Sequence, residues 1–97
     1  MPTYISLTEY TDQGIASVKE SPSRLDRFKE LVESHGGELK DFFLTMGRYD
    51  IVVVTEFPDD ESAAKVLLTT GSDGNVSTET LRAFPEDEYR SIVDGLP

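Results

Sequence analysis

Tyr49-Asp50-Ile51-Val52-Val53-Val54-Thr55-Glu56-Phe57 decides how this chain is read. Branched and aromatic residues dominate the stretch, which is strand chemistry. It is apolar in both phases, with Ile51 and Val53 on one side and Val52 and Val54 on the other. A half-solvated strand alternates; one that does not is central and covered on both faces. Gly47-Arg48 forms a tight turn into it, and Leu39 to Met46 before that turn reads as its hairpin partner. The partner breaks phase: Leu39 and Phe43 share one phase, while Phe42, Leu44 and Met46 share the other. Either both faces are covered or a bulge shifts the register.

Outward from this hairpin the punctuation is clear. Tyr4 to Tyr10 alternates as a strand, and Thr11-Asp12-Gln13-Gly14 follows as turn chemistry. Ser21 is the expected N-cap of a helix and Pro22 its first residue, since proline lacks the donor that position would orphan. Leu25, Phe28, Leu31 and Val32 make one helical stripe, ended by Gly36-Gly37. Asp59 caps a second helix whose expected buried side is Ala63, Ala64, Val66, Leu67 and Leu68, and Gly71 to Gly74 break it. Asn75 to Phe84, mixed in polarity, is an edge strand. Pro85-Glu86-Asp87-Glu88 opens a short last helix with Tyr89, Ile92 and Val93 as its apolar residues and Gly95 as its stop.

The order βαββαβ plus a terminal helix predicts the α+β class: a ferredoxin-like antiparallel sheet with both long helices on one face and the first and third strands in the middle. A chain of 97 residues has room for one domain, spanning 1–97. Two helices cover one face only, yet the third strand asks for two dry faces. The terminal helix is too short to supply the second. Another copy of the chain, packed sheet to sheet at about 10 Å, would supply it. The sequence therefore predicts self-association, as a homodimer or a larger ring.

Nine Lys and Arg stand against nineteen Asp and Glu, a formal net charge of -10. Phosphate binding needs the opposite balance, so nucleic acid and anionic membrane surfaces are excluded as partners. The acidity suits solubility, or a saline surrounding in which screening removes self-repulsion. With no cysteine, there is neither a disulfide nor a thiolate ligand; with His35 the lone histidine, no multi-histidine metal site exists in one subunit. No metal and no cofactor is expected. No apolar run approaches a bilayer span, and the opening residues lack a signal core, so the reading is cytoplasmic.

Few residues offer chemistry. Asp50 follows a glycine turn at the start of a central strand; beside apolar neighbours its carboxylate would be a general base or acid, and otherwise it fixes the hairpin by accepting backbone hydrogen bonds. Arg82 could hold that carboxylate ionised, or with Tyr49 stabilise developing charge. Tyr4, Tyr10 and Tyr49 can present hydroxyls to a pocket or serve as aromatics with a wet tip, and Thr45 can bond a small ligand. Tyr4, Thr45, Tyr49, Asp50 and Arg82 are thus the candidate ligand residues. His35 suits a helix C-terminus. No Gly-x-Ser-x-Gly elbow occurs, and the glycine-rich Gly71 to Asn75 leads into a strand rather than the helix a phosphate cradle needs.

Five segments in register carry a resemblance: Thr11-Asp12-Gln13-Gly14-Ile15, Ser21-Pro22-Ser23-Arg24, Thr45-Met46-Gly47-Arg48-Tyr49-Asp50, Pro58-Asp59-Asp60-Glu61, and Gly74-Asn75-Val76-Ser77-Thr78-Glu79-Thr80-Leu81-Arg82-Ala83-Phe84. Together they resemble the GYD domain family, named for the glycine, tyrosine and aspartate found here at Gly47, Tyr49 and Asp50. Ser77 departs from the basic residue common there. The resemblance implies a dimeric α+β barrel, in agreement with the sheet-face reading, and assigns no reaction. Two functions follow as expectations. One is a homo-oligomer that binds a small ligand between sheet and helices or at the interface. The alternative is a cofactor-independent enzyme, isomerase- or monooxygenase-like, acting on a small aromatic or carbonyl substrate, with Asp50 as base or acid.

Overall fold

The doubly apolar strand lies inside a four-stranded antiparallel sheet. In the computed structural model, which describes residues 1–97, strand β1 (Thr3–Tyr10) leads through a short helix α1 (Asp12–Ala16) and one 3-10 turn (Val18–Glu20) into α2 (Ser21–Ser34). Then come β2 (Glu38–Leu44), β3 (Ile51–Glu56), α3 (Asp60–Ser72), β4 (Val76–Ala83) and α4 (Glu86–Asp94). The sheet order is β2-β3-β1-β4, so β3 and β1 are central and β4 is an edge, the arrangement expected of a ferredoxin-like fold.

Helix α2 packs over β2 and α3 over β4, both on one face of the sheet. That face holds Ile51 and Val53 of β3, both buried. Pairing of Tyr4 with Thr55, Ser6 with Val53 and Thr8 with Ile51 places the even residues of β1 on the same side. The core gathers at the Tyr4 end, where Tyr4, Phe57, Val32, Ala63 and Val66 pack together, and the Tyr4 and Phe57 rings meet edge to face at 5.8 Å. On α2, Phe28 and Leu31 close against this cluster.

The phase break in β2 is a bulge. Leu39 pairs with Thr55 and Asp41 with Val54, so Lys40 has no partner of its own. Leu39 and Phe42 thereby reach the same face across an interval of three. Asp59 caps α3 as expected, its carboxylate accepting the Ser62 N–H at 2.8 Å, and that bond holds its carboxyl below the usual range.

Three local expectations need correction. Thr11 to Gly14 begins a helix rather than a turn: Thr11 caps α1, its hydroxyl accepting the Gly14 N–H at 3.0 Å. Gly14 presses so close to β4 that a Cβ would lie 1.9 Å from the Asn75 carbonyl oxygen. Ser21 is not the cap of α2. The 3-10 turn runs straight on, Glu20 takes the cap position, and Ser21 is already helical, its hydroxyl bonded to the Tyr10 hydroxyl at 2.9 Å. On α3, Ala63 and Val66 are buried, but Ala64 and Leu68 face outward, because the helix lies on the sheet over a narrower stripe than its apolar content suggests.

The far face of the sheet is bare. Ile5, Leu7, Val52, Val54, Phe43 and Leu81 share it, each beside another across the ladder. Phe43 and Leu81 are 54% and 44% exposed. Helix α4 does not cover this face; it packs substantially against no other element and leaves Tyr89, Ile92 and Val93 exposed. The result is an elongated chain, 51 Å in its longest dimension. Its radius of gyration is 14.5 Å, where roughly 12.5 Å is usual for this length.

Candidate functional site

The five residues singled out from sequence fall into two groups at opposite ends of the sheet. Asp50 sits at the Tyr10 end of β1, where its Oδ2 accepts the Tyr10 N–H at 2.8 Å and its own N–H donates to the Thr8 carbonyl at 2.9 Å. Thr45 closes the same hairpin: its N–H donates to the Asp50 carbonyl at 2.8 Å and its hydroxyl to the Tyr49 carbonyl at 2.6 Å. Gly47, at φ +129°, makes the turn between them in a conformation that disfavours any side chain. The Tyr49 hydroxyl reaches along the surface to donate to Glu79 at 2.8 Å, a bond that raises its pKa.

Tyr4 and Arg82 lie at the other end, six residues back along β1, or about 20 Å at strand spacing. The Tyr4 hydroxyl donates to Asp60. Burial first, and that bond second, push the phenol up to about 12. Arg82 stacks over the Phe84 ring at 4.4 Å and the Tyr4 ring at 5.8 Å, and donates to the Thr3 and Ala83 carbonyls. It is therefore far from Asp50 within one subunit, and the carboxylate of Asp50 is occupied by backbone.

Between the helices and the sheet, the interior opens beyond Ser6 into a cavity of about 300 Å³. The core fills only the Tyr4 end, and the side chains that continue along β1 toward Tyr10 are short. Ser6 and Thr8 form the floor, while Leu25, Phe28, Ile51 and Val53 are among the apolar walls. Tyr10, Ser21, Arg24 and Arg27 line it too, and Asp73 is its only carboxylate. None of Tyr4, Thr45, Tyr49, Asp50 or Arg82 lines it. Of the residues weighed from sequence for chemistry, Tyr10 does, as do Asp73 and Asn75 of the glycine-rich stretch. The others were hidden because serine and threonine on a strand read as solvent-facing, and an arginine on a helix reads as surface. No three carboxylate or imidazole groups gather where they could hold a metal ion. No helix is long and apolar enough to cross a membrane.

Arg24 is the exception to the surface reading. Its side chain is 15% exposed. One terminal nitrogen donates to the Ser17 carbonyl at 3.3 Å and hydroxyl at 3.1 Å, the other to the Gly14 carbonyl at 3.1 Å. It thus ties α1 and the 3-10 turn to α2 at the mouth of the cavity.

A protein of Thermus thermophilus, described as a glutamine synthetase and cystathionine beta-lyase binding protein, is 35% identical over 86 residues, covering 88% of this chain and 90% of its own length. The model of the GYD domain matches residues 4–93, which contain the sheet, both long helices and the cavity. The chain belongs to the GYD domain family.

Proposed function

We propose that this chain is a cytoplasmic binding protein that acts by association: with a second copy through the bare sheet face, with a small ligand in the helix-sheet cavity, and with a larger enzyme. The observation that carries the reading is the contiguous apolar surface of Ile5, Leu7, Phe43, Val52, Val54 and Leu81, which no helix of the chain covers. The accessible surface is 6477 Å², where about 5,500 Å² is usual for a monomer of 10.8 kDa. The excess, roughly 900 Å², is close to what one partner contributes to an interface of standard size, about 800 Å². Helix α4, with its exposed Tyr89, Ile92 and Val93, adds an arm that a second copy can receive.

The enzyme partner is proposed from the printed name of the Thermus relative, which describes binding of glutamine synthetase and cystathionine beta-lyase. The enzymatic alternative finds less support, since Asp50 bonds to backbone and neither it, Tyr49 nor Arg82 borders the cavity.

Sedimentation of the wild type and of the Val52→Asp, Val54→Asp double variant tests the association. The expected result is a wild-type dimer at micromolar concentration and a folded monomer for the variant. A monomeric wild type would overturn it. Retention of the host's purified glutamine synthetase or cystathionine beta-lyase on immobilised protein tests the partner, and retention of neither would remove that part.

A further inference from the structure

The cavity is lined against the grain of the molecule. In a chain of net charge -10, its charged lining is two arginines and one aspartate. Arg24 has spent three hydrogen bonds on Ser17 and Gly14, and a guanidinium carries five donors, so two remain. Its one ion pair is a loose 4.0 Å contact with Glu20, whose side chain is 76% exposed. Arg27, one turn further along α2, makes no hydrogen bond and no ion pair. Both lie in the first half of α2, toward the end where the helix dipole is positive.

The floor adds a second, independent mark. Thr8 is only 5% exposed, and its hydroxyl has no hydrogen-bond partner. No side-chain polar atom sealed from solvent lacks a partner, so the Thr8 hydroxyl retains access, and the space it borders is the cavity. Thr3 and Thr55 are similarly buried with unpartnered hydroxyls, but of the three only Thr8 lines the cavity, where its hydroxyl can meet a polar group of a ligand. Between floor and mouth the walls are apolar, from Leu25, Phe28 and Val53.

We infer that the cavity takes a small monocarboxylic acid with an apolar body: the tail against Phe28 and Val53, the carboxylate toward Arg24 and Arg27. This rests on the reading of the cavity as a ligand site and names the class of ligand. One negative charge matches a lining of net single positive charge, from Arg24 and Arg27 against Asp73; a doubly charged phosphate would leave charge uncompensated beside Asp73. The volume, at the lower end of small-molecule sites, favours a molecule of this modest size.

The test uses hexanoate and its neutral isostere hexanamide, followed by calorimetry and by methyl NMR of the full chain. Hexanoate is expected to shift the methyl signals of Thr8, Val53 and Leu25, and to bind about tenfold more tightly than hexanamide, the ratio set by one charge-assisted contact. Arg27→Gln, on an exposed and unpaired side chain, is expected to erase most of that ratio without unfolding the protein; Arg24→Gln would also loosen α1 and is not needed. Equal binding of the two probes within the cavity would overturn the acid class while leaving the ligand site. Binding of neither, or shifts confined to Val52, Val54 and Leu81, would overturn both.

Discussion

Single side chains here hold the joints between elements, and their removal should be read as stability. Thr11 caps α1 through Gly14 and donates to the Gly74 carbonyl at 2.6 Å, so it joins the start of the fold to the loop before β4. Thr11→Ala is expected to cost about 1–2 kcal/mol in denaturant unfolding. Gly14→Ala forces a Cβ onto the Asn75 carbonyl, where backbone must move, and is expected to cost roughly 1–3 kcal/mol. Tyr4 makes a prediction in pH. Its folded pKa is about 12 against 10.0 for the free phenol, so the neutral form is favoured by folding. The stability this gives is whole below pH 10 and is lost as the pH rises toward 12. Tyrosinate absorbance should show a late phase near pH 12 that Tyr4→Phe removes. Ionisation of Tyr4 near pH 10 would contradict its burial.

Strands carry two different surfaces, and charge placed on each should behave differently. Ile51 and Val53 face the helices and are buried, so Ile51→Asp with Val53→Asp is expected to abolish the folded circular dichroism spectrum. This is the opposite of the folded monomer expected from charging Val52 and Val54. Much of this was legible in advance. Nine residues from Tyr49 to Phe57 showed a central strand, and the uneven β2 showed either a second cover or a bulge, of which the ladder shows the bulge. The cavity was not legible. Hydropathy alone would turn Ile5 and Leu7 toward the helices; the register turns Ser6 and Thr8 there instead, both buried. The cavity exists because the smaller, more polar set of β1 faces inward, and only pairing to β3 decides that. Nor could spacing show that Tyr4 and Asp50, both strand-end residues, lie at opposite ends of the sheet.

At the scale of the whole molecule, acidity and apolar surface oppose each other. Two copies each carrying -10 repel, and in the proposed dimer that repulsion works against the gain from covering both sheet faces. Salt shortens the reach of the repulsion, to about 10 Å at 0.1 M and 3 Å at 1 M, while it leaves the apolar contact in place. The dimer is therefore expected to tighten, and its melting temperature to rise, as salt increases; a dimer held by ion pairs would loosen. Sedimentation at low and molar salt separates the two. Removal of residues 85–97 adds a check on the arm: because α4 packs substantially on no other element, the truncated chain is expected to keep its fold and to associate more weakly. Unchanged association would confine the interface to the sheet.

The bulge at Lys40 has a consequence for how the chain tolerates changes of length. Every neighbour of Lys40 already has the partner it would have in a regular ladder, Leu39 with Thr55 and Asp41 with Val54. Lys40 is thus a spare residue, exposed and joined only to Glu38 by a 3.5 Å ion pair. Excising it would leave every pairing and every facing of β2 intact and would only relax the local twist. Excising Asp41 would close the bulge in the same way, with Lys40 taking its place opposite Val54, whereas excising Phe42 would bring Asp41 opposite Val53 and put a carboxylate on the helix-covered face. One codon of the pair Lys40 and Asp41 is dispensable, and that of Phe42 is not.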